Sequence, residues 1–300
     1  MILILSEKFG VKGALARFGL PILDRLVALG RSGYLTSEWE PKRSSKFLWG
    51  LLSTDGFPGE GPLKAISQGI SVQGRAIALA KFVNINKKGA VVEELKAPQD
   101  LKLKVGSFDF ELKTLKNQSF IIYSGSEKIQ DSKIEGGIVK KVEPLEAGAK
   151  QTAKALRTFA NMMNEKTGKF PILTGFGRIR RTPLKVNASI FADSKKLSGV
   201  TKMLGLKKVN SFEALIRETG LKVAVFSETK LDALDKLSLP LVGISEKETV
   251  MVMGIPKDGL DQPMFITGPK IIPDLHKKFD GSQNGARYSQ REIAKMLKIL

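Results

Sequence analysis

AKQTAKALRTFANMMNEKTGKFPILTGFGRIRRTPLKVNASIFADSKKLSGVTKMLGLKK, residues 149–208, opens as a helix, passes through a strand-like run rich in arginine, and closes on a second short helix. From Lys166 to Lys208 the stretch carries eleven basic residues and one acid, Asp193. Over half of the chain's formal charge of +19 is therefore gathered in one place, more than a uniform solubility coat requires. The candidate anion-binding residues are Arg178, Arg180, Arg181, Lys185, Lys195, Lys196, Lys202, Lys207 and Lys208. The pattern points to a polyanion-facing surface.

Working outward, 300 residues with 42% hydrophobic content are enough for two domains with substantial cores. The absence of cysteine excludes disulfides, thiolate metal sites and a cysteine nucleophile, and suits a reducing compartment. The opening MILIL is too short for a signal-peptide core, and no later apolar run approaches the length of a membrane span. Before the basic stretch, Gly13 to Leu29 has helical spacing interrupted by Pro21. It reads as core-packing helix, with a membrane-surface helix as the alternative. Lys46 to Leu52 (KFLWGLL) reads as an apolar strand, and Ser53 to Pro62 (STDGFPGEGP) as a turn cluster. Gly56 and Gly61 have the gap of a phosphate-binding loop, but Pro62 stands where that loop needs lysine. LKLKV (101–105), FDFEL (108–112) and SFIIY (119–123) read as antiparallel strands.

The polar run Gly125 to Gly148 reads as the connection between a β-rich domain over 1–135 and a basic α+β domain over 149–300. The fold class expected is α+β and β-rich, with two sandwich-like antiparallel domains and packed helices. After Lys208, SFEALIRETG carries a capping-box pattern, while LKVAVF (221–226), LPLVGI (239–244), TVMVMGI (249–255) and Met264 to Ile266 read as strands. Tyr288 to Leu300 reads as a cationic amphipathic helix.

Catalytic signals are sparse. The single histidine, His276, has no second histidine or cysteine with which to form a ligand set, and no Gly-x-Ser-x-Gly elbow is present. Gly175-Phe176-Gly177 is an incomplete dinucleotide fingerprint followed by Arg178 instead of a helix. These readings lead to the expectation of a protein without enzymatic activity, metal or cofactor. For the basic surface, a shortage of aromatics favours anionic phospholipid membrane over RNA as partner.

Phe47-Leu48-Trp49-Gly50-Leu51-Leu52, then Gly61-Pro62, then Gly69-Ile70-Ser71-Val72-Gln73-Gly74-Arg75 resemble the N-terminal domain of matrix proteins of paramyxovirus-like negative-strand RNA viruses. The stretch from Glu93 to Tyr123 continues the resemblance. It implies a structural protein that assembles as a dimer or larger array beneath an anionic membrane, in virion and host cytoplasm, and contacts viral nucleoprotein. The alternative is a nucleoprotein or movement-type RNA binder using the same basic surface.

Overall fold

The computed structural model describes residues 1–9, 19–36, 44–53, 55–70, 74–179, 184, 186–255, 261–274 and 286–299. In chain order the elements begin with β1 (Ile2–Ser6), α1 (Pro21–Ala28), β2 (Gly30–Leu35), α2 (Ser44–Leu52) and α3 (Glu60–Ser67). Five longer strands follow: β3 (Ala76–Ile85), β4 (Val91–Leu95), β5 (Leu101–Val105), β6 (Phe108–Leu115) and β7 (Gln118–Tyr123). Next come four short strands, β8 (Ile129–Gln130), β9 (Lys133–Glu135), β10 (Ile138–Lys140) and β11 (Glu143–Pro144). The middle of the chain holds α4 (Lys150–Thr167), β12 (Phe170–Arg178), β13 (Ala188–Ala192), α5 (Ser198–Met203), β14 (Lys207–Lys208) and α6 (Phe212–Ile216). It ends with β15 (Leu221–Phe226), α7 (Leu231–Leu237), α8 (Leu239–Ile244), β16 (Val250–Gly254), β17 (Gln262–Thr267), β18 (Ala286–Tyr288) and α9 (Gln290–Ile299).

Strand residues outnumber helical ones, as expected of an α+β, β-rich chain. The chain divides into one unit made of Met1–Phe57 with Thr182–Leu300, and a second made of Pro58–Arg181. The connection expected at 125–148 falls inside the second unit, where it forms β8 to β11. A boundary read from composition follows chain order, whereas here the first unit is assembled from both ends of the sequence.

The first unit is built on an eight-stranded sheet in the order β14-β13-β15-β1-β16-β17-β2-β18. From β14 to β16 all neighbours run parallel, and only β17 is antiparallel to the strands on either side of it. Parallel strands have to be covered on both faces, which explains why ILILS, LKVAVF and VMVMG are near-continuous apolar runs, buried at every position. Ile2 and Ile4, Ala224 and Phe226, and Val250 and Val252 point to one face and share a core with residues of α1, α6, α7 and α8. The intervening Leu3, Leu5, Val223, Val225, Met251 and Met253 are equally buried on the other. Helices, not a second sheet, pack on the first of these faces, and most of the sheet is parallel, so a sandwich of antiparallel sheets does not describe the first unit.

Two apolar runs read as strands are helices: KFLWGLL lies in α2 and LPLVGI is α8. Phe47, Leu48, Trp49, Leu51 and Leu52 are all buried, and a short run apolar on every side has no periodicity to separate strand from helix. Residues 10–18, the first part of the helix expected from Gly13, lie outside the described residues. The second part is α1, whose N-terminus is held from a distance. The carboxylate of Asp235, in α7 and 4% exposed, accepts the backbone N–H groups of Ile22 and Leu23 at 3.1 and 2.8 Å. A buried carboxylate at the positive end of a helix satisfies donors that Pro21 and the leucines around it leave open.

The second unit has an antiparallel sheet in the order β12-β3-β7-β6-β5, with β4 also pairing β3. LKLKV, FDFEL and SFIIY are β5 and parts of β6 and β7, as their alternation predicts. One face buries Phe82, Phe110, Leu112, Ile121 and Tyr123 against Ala153, Leu156, Phe159 and Met163 of α4, with Phe110 and Phe159 stacked at 4.7 Å. The two glycine motifs noted in the sequence meet each other here. A Cβ on Gly177 would lie 1.6 Å from the carbonyl oxygen of Pro58, and one on Gly59, at φ +92°, would lie 2.2 Å from that of Phe176. The glycines permit backbone-to-backbone approach between the Gly-Pro loop and β12, which bulges between Thr174 and Gly177.

Asp235→Ala is expected to lower stability by about 2 kcal/mol, because it leaves one buried and one part-buried N–H group without an acceptor; urea unfolding followed by circular dichroism reads the change. Gly177→Ala is expected to cost about 3 kcal/mol or more, since neither backbone can yield a side chain's width. Limited proteolysis should then show earlier cleavage within 58–181 than in the parent protein.

Candidate functional site at the carboxyl ends of the parallel strands

The connections of the first unit's sheet select one place for a ligand. From the carboxyl end of β13 the chain turns through residues 195–197 and α5 to β14 on one flank, whereas from β15 it leaves through α7 and α8 to β16 on the other. β13 and β15 are parallel neighbours whose exits diverge, a switch point of the kind at which open parallel sheets form a crevice beyond the strand ends. Three polar segments border it: Ser6-Glu7-Lys8 after β1, Asp193-Ser194 after β13, and Ser227-Glu228-Thr229 after β15. Backbone bonds from Glu7 N–H to the Phe226 carbonyl at 3.0 Å and from Asp193 N–H to the Val225 carbonyl at 3.2 Å carry the sheet's registry into these segments.

The carboxylate of Asp193 organises the crevice. One oxygen accepts the N–H of Ser227 at 2.8 Å; the other accepts the N–H groups of Glu228 and Thr229 at 2.9 and 2.8 Å and the Thr229 hydroxyl at 2.8 Å. Burial opposes its charge, but these four donors outweigh burial and hold the group below its ordinary range. A carboxylate so fully occupied shapes the 227–229 turn and is not free to move protons.

Glu7 has a different part. Its Oε1 accepts the hydroxyl of Ser227 at 3.0 Å and that of Ser44, the first residue of α2. Ser227 is buried and fixed through its own N–H on Asp193, so it orients the carboxylate. Ser44 is half-buried and stands at the positive end of its helix. A hydroxyl bonded to an oriented carboxylate is the arrangement of an oxygen nucleophile with its proton acceptor. Among the described residues no group of three or more His, Cys, Asp or Glu side chains is placed to hold a metal ion.

The residues singled out in the basic stretch do not come together. Arg178 belongs to the second unit, where its guanidinium donates to the carbonyls of Gly74 and Gly125 at 2.7 and 2.6 Å and pairs with Glu127 at 3.2 Å. It ties that unit's loops together. Lys195, Lys196, Lys202, Lys207 and Lys208 are exposed in the first unit, with Lys207 on Glu218 at 2.8 Å. Lys195 and Lys196 follow Asp193 at the crevice. Arg180, Arg181, Lys185 and His276 lie outside the described residues.

By sequence, no protein-family model and no curated protein matches this chain. By structure it is similar to the cofactor-independent phosphoglycerate mutase from Thermoplasma acidophilum, with a TM-score of 0.66 and 17% identity over 100% of this chain and 99% of that one. The likeness shows the fold. The PH0037 protein from Pyrococcus horikoshii is similar too, with a TM-score of 0.57 and 14% identity over 99% of this chain and 96% of that one.

This fold, one that a phosphoglycerate mutase uses, corrects the expected function. On this likeness the expected matrix-like protein that assembles on membranes, with its RNA-binding alternative, is set aside, and so is the expectation of a protein without enzymatic activity. Among the described residues no helix is long and apolar enough to cross a membrane.

Glu7, Ser44 and Ser227 are not among the residues that the sequence pattern singles out, and Asp193 stands out there only as the lone acid of the basic stretch. A signal existed: ILIL is followed by Ser-Glu and VAVF by Ser-Glu-Thr, polar clusters just past fully buried strands.

Asp193→Ala should lower stability by about 2 kcal/mol at neutral pH. With its folded pKa depressed, Asp193 contributes stability that is fully present above its ordinary value of 3.8 and is lost as pH falls through the folded value. Denaturant midpoints measured from pH 7 to pH 2 should therefore converge for parent and variant at the acid end.

Proposed function

We propose that the chain transfers phosphoryl groups of small phosphate esters at the carboxyl edge of the first unit's sheet. The observation that carries this reading is the Ser44–Glu7–Ser227 cluster at the diverging exits of β13 and β15, on a fold similar to that of a phosphoglycerate mutase. Ser44 Oγ attacks phosphorus as the ester oxygen–phosphorus bond breaks. The Ser44 proton passes to Glu7 and from there to the leaving oxygen. A second hydroxyl, on the same substrate or another, then attacks the phosphorus as the Ser44 oxygen–phosphorus bond breaks; its proton passes to Glu7 and from there to Ser44 Oγ, which restores the serine. Ser227 holds Glu7 in orientation through the step, and Asp193 holds the turn that carries Ser227.

The reading is tested by incubating the purified protein with phosphoglycerates, sugar phosphates and an aryl phosphate, following products by phosphorus NMR and Ser44 phosphorylation by peptide mass mapping. Turnover is expected to fall about a hundredfold or more in Ser44→Ala and in Glu7→Gln. Unchanged turnover in both variants, or none with any ester in the parent protein, would sink the reading.

A further inference from the structure

The crevice is rich in negative charge. Glu7 and Asp193 face it, Glu228 is exposed on the same turn, and an arriving phosphate dianion meets like charge unless cations offset it. The 227–229 turn offers the anion no backbone donors, because the N–H groups of Ser227, Glu228 and Thr229 all point at Asp193. Side-chain cations can offset that charge: Lys8 follows Glu7 at the exit of β1, and the Asp193 clamp sets which further ones follow the two strand exits it joins. It fixes the backbone of residues 227–229 against residue 193, so the side chains that follow directly on each strand of the clamp are Lys195 and Lys196 on one and Lys230 on the other.

All three lysines are exposed, and among the described residues none of them forms an ion pair. Ser194 accepts the N–H of Lys196 and shapes the turn from which Lys195 and Lys196 project, and that turn packs against α2, the helix that begins at Ser44. Other exposed lysines of this unit, such as Lys208 on β14 and Lys236 in α7, do not follow the clamp.

We propose that Lys195, Lys196 and Lys230 form the receiving rim for the phosphate dianion of the substrate, brought together by the Asp193 clamp. The inference rests on the phosphoryl-transfer reading of this site and assigns its anion-recognition residues. Lysine suits the task as a compact charge that can follow the phosphate between its ester-bound and serine-bound positions.

Inorganic phosphate is the probe, titrated into the full chain at constant ionic strength and followed by calorimetry. The double variant Lys195→Ala/Lys196→Ala and the single variant Lys230→Ala each should raise the dissociation constant, by about tenfold for the double. Lys208→Ala/Lys236→Ala, which removes the same charge elsewhere on the unit, should leave it unchanged. Thermal unfolding of all variants should match the parent, because these side chains are exposed. Equal phosphate affinity in the parent and the rim variants overturns the rim while leaving phosphoryl transfer at Ser44 standing. An equal loss in the Lys208/Lys236 control also overturns the rim, since the general positive field would then suffice. Absence of phosphate binding to the parent protein overturns both the rim and the reading it rests on.

Discussion

Strand β1 lies between β15 and β16 and pairs in parallel with both, and the first unit depends on that placement. Two parallel neighbours cannot be reached by tight turns, so the partners of Ile2–Ser6 have to come from far along the chain. After β2 the sequence is free to leave the sheet, and it builds the whole second unit before returning at β13. Sequence-distant pairing of this kind is slow to form, because loop closure precedes its reward, and it places the organising contacts of the fold at the two ends of the polypeptide.

The same parallel arrangement creates the candidate site. All carboxyl ends from β14 to β16 lie on one edge, and polar residues can gather there without breaking the apolar runs that fill the sheet. Asp193 converts this proximity into geometry by drawing three successive N–H groups onto one carboxylate. Elsewhere charge is used to hold structure. Lys222, 4% exposed within β15, is neutralised by both oxygens of Glu248 at 2.7 and 3.0 Å, and Arg178 gathers two carbonyls and a carboxylate in the second unit. In Glu248 burial works against ionisation, but Lys222 and the amino terminus prevail and depress its pKa.

A high density of lysine and arginine along a stretch of chain does not make one surface. Residues 149–208 run through both units, so the charge counted as one block in the sequence is divided in the structure between a strand end, a turn after β13 and an edge strand. The resemblance to matrix proteins drew on the apolar run Phe47–Leu52 as a strand. That run is a helix, and Gly61-Pro62 lies within α3, so the first strand and the turn on which the resemblance rested are not formed here.

Local pattern by itself determined the elements with a clear period or a clear stop. These are α4 with its stripe from Ala153 to Met163, the antiparallel strands β5, β6 and β7, and the buried strands β15 and β16. Such elements are specified by neighbours within a few residues. Tertiary structure alone decided the helical state of α2 and α8, the insertion of one unit into the other, and the meeting of Gly59 with Phe176 and Gly177 with Pro58. It also decided the candidate site, because strand pairing brings Glu7, Asp193 and Ser227 to one edge and Ser44 joins them from α2, positions far apart in the sequence.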